Sequence, residues 1–357
     1  MKPMTMRQRL LAVIRGEPHD RVPFIQYDGL IRNAEVWDLL GQNNIGLLRW
    51  CSTYRVETHH TRFEDTPIEK DGRRGVRSTL HTPKGDLTCE KLFEPIYNSA
   101  ATIKHFIEDI KDYDILDAYL EDCKIVFDPS SYLKALKDLG ENGLPLLAVD
   151  RTAWQQLWVQ WVNIEDLSWH FAEHEDRLMR TVELLEKRQR AILDYACRVC
   201  PEFVDFPDNI TASMIGPDKF QRFCMPMYRE LSGRLAETGA LAFCHMDGDL
   251  RPLWDLIGKS GLRGLDSMSP PPDNDTSVGE AHAMWPTMRI WINFPSSVHL
   301  MESERIRMHT REILSQGGNT GRLSIDLSEN VPPNVWRTSL PAIAAEIEAF
   351  GTPAVYR

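Results

Sequence analysis

The segment Leu241–Leu250, LAFCHMDGDL, runs from an apolar stretch straight into a histidine, two aspartates and a glycine. A short buried strand of this form delivers His245, Asp247 and Asp249 to its carboxyl end, where α/β barrels carry their catalytic groups. Alternation along the strand puts His245 and Asp247 on one side and Cys244 on the other. An imidazole beside carboxylates can ligate a metal, transfer a proton or anchor a hydrogen bond. His245 and Asp247 supply two ligands, and Asp326 and Asp208 are candidates by position for a third. Three protein ligands with one open position would make a catalytic zinc site. The plainer alternative is a solvated turn in which His245 hydrogen-bonds Asp247 or Asp249 and holds no metal.

Other acids end other apolar runs: Asp28, Asp150, Asp205, Asp208, Asp266, Asp326 and Glu329, joined by Asn209 and Asn293. Some of these must cap helices or bind backbone amides. Arg151 is the one arginine directly at such a strand end. A rim of this sign favours a metal ion or a cationic group and suits a polyanion poorly. Other chemistry-bearing residues read as structural. His59-His60 is a surface pair, Trp154, Trp158 and Trp161 sit at helical spacing as core or pocket wall, and Cys197-x-x-Cys200 lacks a second partner motif. The chain has no GxSxG elbow and no HExxH motif.

The elements that would position these groups alternate. An amphipathic helix near the start turns Leu10, Leu11 and Ile14 inward. Strands follow at Val22–Asp28, Leu144–Asp150, Phe203–Asn209, Leu241–Asp249, Gly264–Ser269, Arg289–Phe294 and Arg322–Asp326. Between them the pattern predicts helices at Thr102–Asp112, His170–Val199, Pro217–Thr238, Leu250–Gly258, Thr276–Trp285, Ser303–Ser315 and Pro333–Phe350. Val76–Thr82 and Asp86–Phe93 flank Pro83-Lys84-Gly85 as a β-hairpin insertion. Strands separated by helices imply parallel pairing through crossovers. No GxGxxG follows the first strand and there is no P-loop. A closed (β/α)8 barrel is therefore expected, as one domain over residues 1–357 with an N-terminal helical extension and the hairpin insertion.

Composition narrows the partners. The 357 residues carry a formal net charge of −11, with 42% hydrophobic and 26% charged residues. That balance argues against nucleic acid or an anionic membrane as the main partner. No apolar run approaches the ~18 residues of a membrane span, and the N-terminus lacks the apolar core of a signal peptide. Seven cysteines without a dense framework suit a reducing, cytoplasmic setting.

Five segments together resemble the uroporphyrinogen decarboxylase superfamily. They are MRQRLLAVIRGEPHDRVPF, HTPKGDLT, IEDIKDYDIL, DNITASMIGPDKFQRFCMPMYREL and FCHMDGDLRPLWDLIGKSGLRGLDSMSPPP, in the family's order and across nearly the whole chain. The resemblance implies a (β/α)8 barrel with its site at the carboxyl-end mouth. True decarboxylases of that family carry an arginine-rich N-terminal signature for the substrate carboxylates, and here the region reads VPFIQYDGLIRNAE. The corrinoid-linked methyltransferases of the superfamily are the nearer branch. They pass a methyl group from a small donor to the cobalt of a corrinoid carrier protein, commonly with zinc. One subgroup's His-x-Cys becomes His245-x-Asp247 here. Another's Glu-x14-Glu-x20-His becomes Asn209-x14-Cys224-x20-His245.

What the resemblance implies is a methyltransferase acting on a small O- or N-methylated donor, with a corrinoid-binding protein as partner and self-association as a homodimer left open. His245, Asp247 and Asp208 would be catalytic. Asp28, Arg151, Asp205, Asn209, Asn293 and Glu329 would meet substrate, and His245, Asp247, Cys224 and Asp326 would hold zinc. Two alternatives are a decarboxylase acting on a substrate smaller than a porphyrinogen and a non-catalytic subunit that docks a corrinoid protein.

Overall fold

Thr5 starts the first element by accepting the Gln8 N–H at 3.2 Å, while the Gln8 side chain takes the Thr5 N–H at 2.9 Å. This reciprocal cap opens the helix Met6–Arg15, and Gly16 ends it at φ +72°. The computed structural model describes residues 2–97 and 99–356. Its strands are β1 (Phe24–Tyr27), β2 (Gly46–Cys51), β3 (Tyr54–Glu57), β4 (Arg62–Lys70), β5 (Arg73–Thr82), β6 (Gly85–Phe93) and β7 (Ala100–Lys104). They continue as β8 (Lys124–Phe127), β9 (Gly143–Ala148), β10 (Phe203–Phe206), β11 (Leu241–His245), β12 (Gly264–Met268), β13 (Arg289–Asn293) and β14 (Leu323–Leu327).

Two compact units result. The first, residues 1–53, 129–149 and 196–357, contains a closed barrel in the order β1-β14-β13-β12-β11-β10-β9-β2. All its pairings are parallel. The expected (β/α)8 architecture is thus present. The second unit, residues 54–128 and 150–195, holds the antiparallel sheet β4-β5-β6-β7, the pair β3-β8, the helices Tyr113–Asp122 and Ile164–Glu173, and the helix Glu175–Arg198 as far as Tyr195. The hairpin expected over Val76–Phe93 is its β5–β6. Among the described residues no helix is long and apolar enough to cross a membrane.

Three readings of local structure change. The helix expected at Thr102–Asp112 is instead the strand β7, followed by a single turn at Ile110–Asp112. Pairing of Thr102 with Lys91 and Ala101 with Leu92 outweighs a weak helical pattern. The helix over His170–Val199 breaks at His174. The eighth barrel strand, β2, hides in a segment where Arg49 and Trp50 interrupt the apolar run.

Register defines the inner face of the barrel. Phe203 and Asp205, Phe243 and His245, Gly264 and Asp266, Trp291 and Asn293, Ser324 and Asp326, and Ile25 and Tyr27 are successive same-side residues on neighbouring strands. The lower members pack with the first helix: Met6, Leu10 and Ile14 join Ile25, Leu48, Leu144, Leu146, Phe203, Phe243 and Trp291 in one core cluster, with Leu11 against it. The rings of Phe203, Phe243 and Trp291 stand 4.9 to 5.1 Å apart, centroid to centroid. Room for them comes from Gly264, where a Cβ would sit 2.3 Å from the Phe243 ring. Each large apolar side chain so buried contributes roughly 1.5–3 kcal/mol.

Candidate functional site

The upper members of the same inner face are polar. His245 ends β11, is 8% exposed, and places Nδ1 2.9 Å from the backbone carbonyl of Asp208. A neutral imidazole therefore donates through Nδ1–H and keeps its lone pair on Nε2. Asp247 follows on a loop that Gly248 lets approach the chain closely, since a Cβ there would lie 2.1 Å from Thr211 Cβ. The Gly248 N–H donates to Ile210 and the Ala212 N–H to Asp249, which laces the two loops together. Asn209 donates to the Asp247 carboxylate at 3.4 Å, and Asn274 to the Asp247 backbone carbonyl at 2.6 Å.

Glu329 arrives from the loop after β14. The Asn293 side-chain oxygen fixes that loop by accepting the N–H groups of Ser328 and Glu329 at 3.1 and 3.3 Å. The result is a group of three, His245, Asp247 and Glu329, whose ligand atoms all lie within 4.8 Å of one another. Burial raises the pKa of Glu329, and Asp247 raises it further against the opposing pull of His245. One imidazole nitrogen and two carboxylates are a donor set that zinc accepts. A divalent cation would also relieve the repulsion between the two acids. The residues present fit such an ion.

Deeper in the barrel the Tyr27 hydroxyl donates to Asp266 Oδ2 at 2.5 Å and lies 2.9 Å from Ser267 Oγ. Ser267 adopts φ +60°, a left-handed conformation uncommon outside glycine, where the β12–β13 register shifts. Asp205, Asp266 and Asp326 are fully buried. They come from every second strand of the barrel, as one layer of such an interior does. Burial raises the pKa of Asp266, opposed by His245 and by the Tyr27 hydrogen bond. Asp326 is pushed well above the ordinary carboxylate range by burial and then by Asp266, with the Leu327 N–H pulling back. Burial and the same three carboxylates, Asp266 foremost, keep the Tyr27 phenol protonated.

The candidate residues thus divide. His245 and Asp247 come together as the alternation suggests, but the third member is Glu329. Neither Cys224 nor Asp326 belongs to the group. Cys224 is fully buried beside Cys244 and Tyr228, away from the His245 side of β11. The Asp208 carboxylate, expected to be catalytic, is buried and takes the Tyr228 hydroxyl at 2.5 Å; its contact with His245 is through its backbone. Asp28 is held by Arg49 and by Asn33 at 2.6 Å, and Arg49 also reaches Asp138. Asn209 and Asn293 orient Asp247 and Glu329. Asp249 accepts the Asp275 N–H. Asp150 and Arg151 belong to the second unit, where Asp150 takes the Tyr54 hydroxyl and pairs with Arg188. There too Trp154 and Trp161 are buried, and the His59 and His60 backbones are tied to Asp122.

Tyr27, Ser267 and Ser324 were missed. Counting by twos from Ile25 would have turned Tyr27 inward, and from Asp326 Ser324; nothing in the sequence marks the backbone of Ser267.

Residues 96–348 match the family model described as uroporphyrinogen decarboxylase (URO-D). Among solved structures, a methyltransferase from Methanosarcina mazei superposes with a TM-score of 0.57 at 12% identity, covering 97% of this chain and 99% of that one. At that identity the likeness shows the fold. A structure of the pneumococcal virulence factor StrH gives a TM-score of 0.42 at 9% identity, with 96% and 86% covered. No curated protein matches the chain.

Proposed function

Because the chain belongs to the uroporphyrinogen decarboxylase family, we propose that it is an enzyme moving a methyl group from a small O- or N-methylated donor to a corrinoid held by a partner protein. The observation that carries this reading is the convergence of His245, Asp247 and Glu329 at the carboxyl ends of the strands. These three would hold zinc, which when bound would act as a Lewis acid on an ether oxygen or an uncharged amine nitrogen of the donor. His245 is prepared for that place by the Asp208 carbonyl, which fixes the ring and leaves Nε2 available. Asn209 donates to the Asp247 carboxylate, and Asn293 anchors the Glu329 backbone by accepting its N–H.

In the transfer the methyl carbon leaves its heteroatom, and the bonding pair stays behind on oxygen or nitrogen. A leaving alkoxide must take a proton, which Asp326, whose pKa burial raises, would supply. A leaving amide takes its proton in the same way. An acid-lined interior also accounts for the absence of a porphyrinogen-type recognition signature, since an octacarboxylate would be repelled.

The test is methyl transfer to cob(I)alamin, followed in the visible spectrum with chelator-treated and zinc-reconstituted protein. Zinc-dependent transfer from an ether or amine donor supports the reading. No transfer from a broad donor panel, together with no metal in the purified protein, overturns it. The raised pKa of the buried Asp326 also favours a second reading, decarboxylation of a small substrate with Asp326 protonating the carbon that loses carbon dioxide. Carbon dioxide release by metal-free protein, lost in Asp326→Asn, would select that reading.

A further inference from the structure

The ladder between β10 and β11 ends at the pair Phe206–Cys244. Asp208 lies two residues past that pair, in the loop, so strand pairing does not set the direction of its carbonyl. Yet this carbonyl, 2.9 Å from His245 Nδ1, decides which ring nitrogen carries the proton. The loop must hold Asp208 by other means.

The Asp208 side chain supplies the handle. Its carboxylate is fully buried, and the Tyr228 hydroxyl donates to Oδ2 at 2.5 Å. Tyr228 stands on the helix Met225–Leu235 and is fully buried in turn. Its ring packs on Phe206 and Phe220, with centroids 4.9 and 5.9 Å away, which leaves the phenol little freedom to move. Burial, then the charge of Asp208, keeps the phenol protonated and hence a donor. A hydrogen bond to a carboxylate is about twice as strong as one between neutral groups. The same hydroxyl oxygen lies 3.3 Å from the thiol of Cys244, which immediately precedes His245. One phenol thus ties together the two chain segments that meet in the His245–Asp208 hydrogen bond.

We propose that Tyr228 is a positioning residue for His245. By holding Asp208 it keeps the carbonyl on the Nδ1 proton and leaves Nε2 bare for a ligand. That this ligand is zinc rests on the methyl-transfer reading; the orientation of the ring does not.

The experiment uses the full chain labelled with 15N-histidine and stripped of metal by chelator. Long-range 1H–15N correlation spectra are recorded at about pH 8.5, where an ordinary imidazole is neutral. The His245 signals are those missing from His245→Ala. Wild type should carry its proton on Nδ1. Tyr228→Phe keeps the ring and removes only the hydroxyl, so the Nε2–H form should gain about five-fold relative to Nδ1–H, the worth of one hydrogen bond. Asp208→Ala keeps the carbonyl and removes the handle, and it should give the same shift. The double variant should go no further than either single one, because the two residues act as one unit. Zinc affinity, read by competition with a chromophoric chelator, should fall about ten-fold in each variant. A wild-type proton on Nε2, or a wild-type His245 spectrum in a Tyr228→Phe protein that has only lost thermal stability, overturns the proposal. Additive shifts in the double variant overturn it as well. A tautomer shift in a protein that binds no zinc would keep this inference and sink the metal of the transfer reading. Zinc-dependent transfer with an unmoved tautomer would do the reverse.

Discussion

The two ends of the barrel are built on the same strands and differ by two residues of sequence. Phe203, Phe243 and Trp291 lie at the lower level and Asp205, His245 and Asn293 at the upper, each pair on one strand. Below, large apolar side chains close on the first helix and pack against one another, with the Trp291 indole N–H buried among them. Above, the same face carries Asp266 and Asp326, which burial makes costly and which no lysine or arginine among the described residues pairs with. The difference separates two jobs. The lower end supplies stability, and the upper end spends part of it on groups kept ready for a ligand.

Substitutions should therefore sort by level. Phe243→Ala should have the largest effect on folding, destabilising by about 3–5 kcal/mol in chemical denaturation, because it opens the aromatic cluster. His245→Ala should do the opposite. Its unfolding midpoint should stay close to wild type, while zinc-dependent methyl transfer falls at least ~100-fold in kcat/KM. A comparable loss of stability in both variants would erase the distinction between the levels.

Asn293→Ala sharpens it at an intermediate size. Asn293 sits at the upper level without reaching the metal-capable group, and it orders the Ser328–Glu329 loop through two backbone N–H groups. Zinc affinity should drop about ten-fold by competition with a chromophoric chelator, in line with outer-layer substitutions at metal sites. An unchanged affinity would mean that Glu329 holds its place without that support.

The sequence exposed the division unevenly. Seven barrel strands were legible because each is a short apolar run closed by a polar residue. β2 was not, because Arg49 leaves the run to pair with Asp28 and Asp138. His245 and Asp247 could be read from strand-end position and alternation. Glu329 could be placed at the mouth but not beside them, because its approach depends on the Asn293 contact across strands. Asp208 was legible as a residue near the site and illegible in its role, since it acts through a carbonyl that every residue possesses. Cys224 kept a family spacing, yet it belongs to the turn Phe220–Cys224 and packs with Tyr228, where sequence distance from His245 says nothing about direction.

The smallest expected effect concerns the price of the upper level in the absence of ligand. Asp326 has a folded-state pKa well above its unfolded value of roughly 3.9. The folded protein therefore holds a proton that the unfolded chain releases, so stability is greatest below that value and is lost as pH rises toward the folded pKa. Asn cannot ionise, and Asp326→Asn escapes that loss. The variant should gain on the order of 1 kcal/mol over wild type at neutral pH, with a larger gain at pH 8 than at pH 5 in thermal unfolding. Parallel pH profiles for the two proteins would show that the Asp326 carboxyl is already balanced within the fold, and the contrast between the barrel's two ends would then lie in shape rather than in charge.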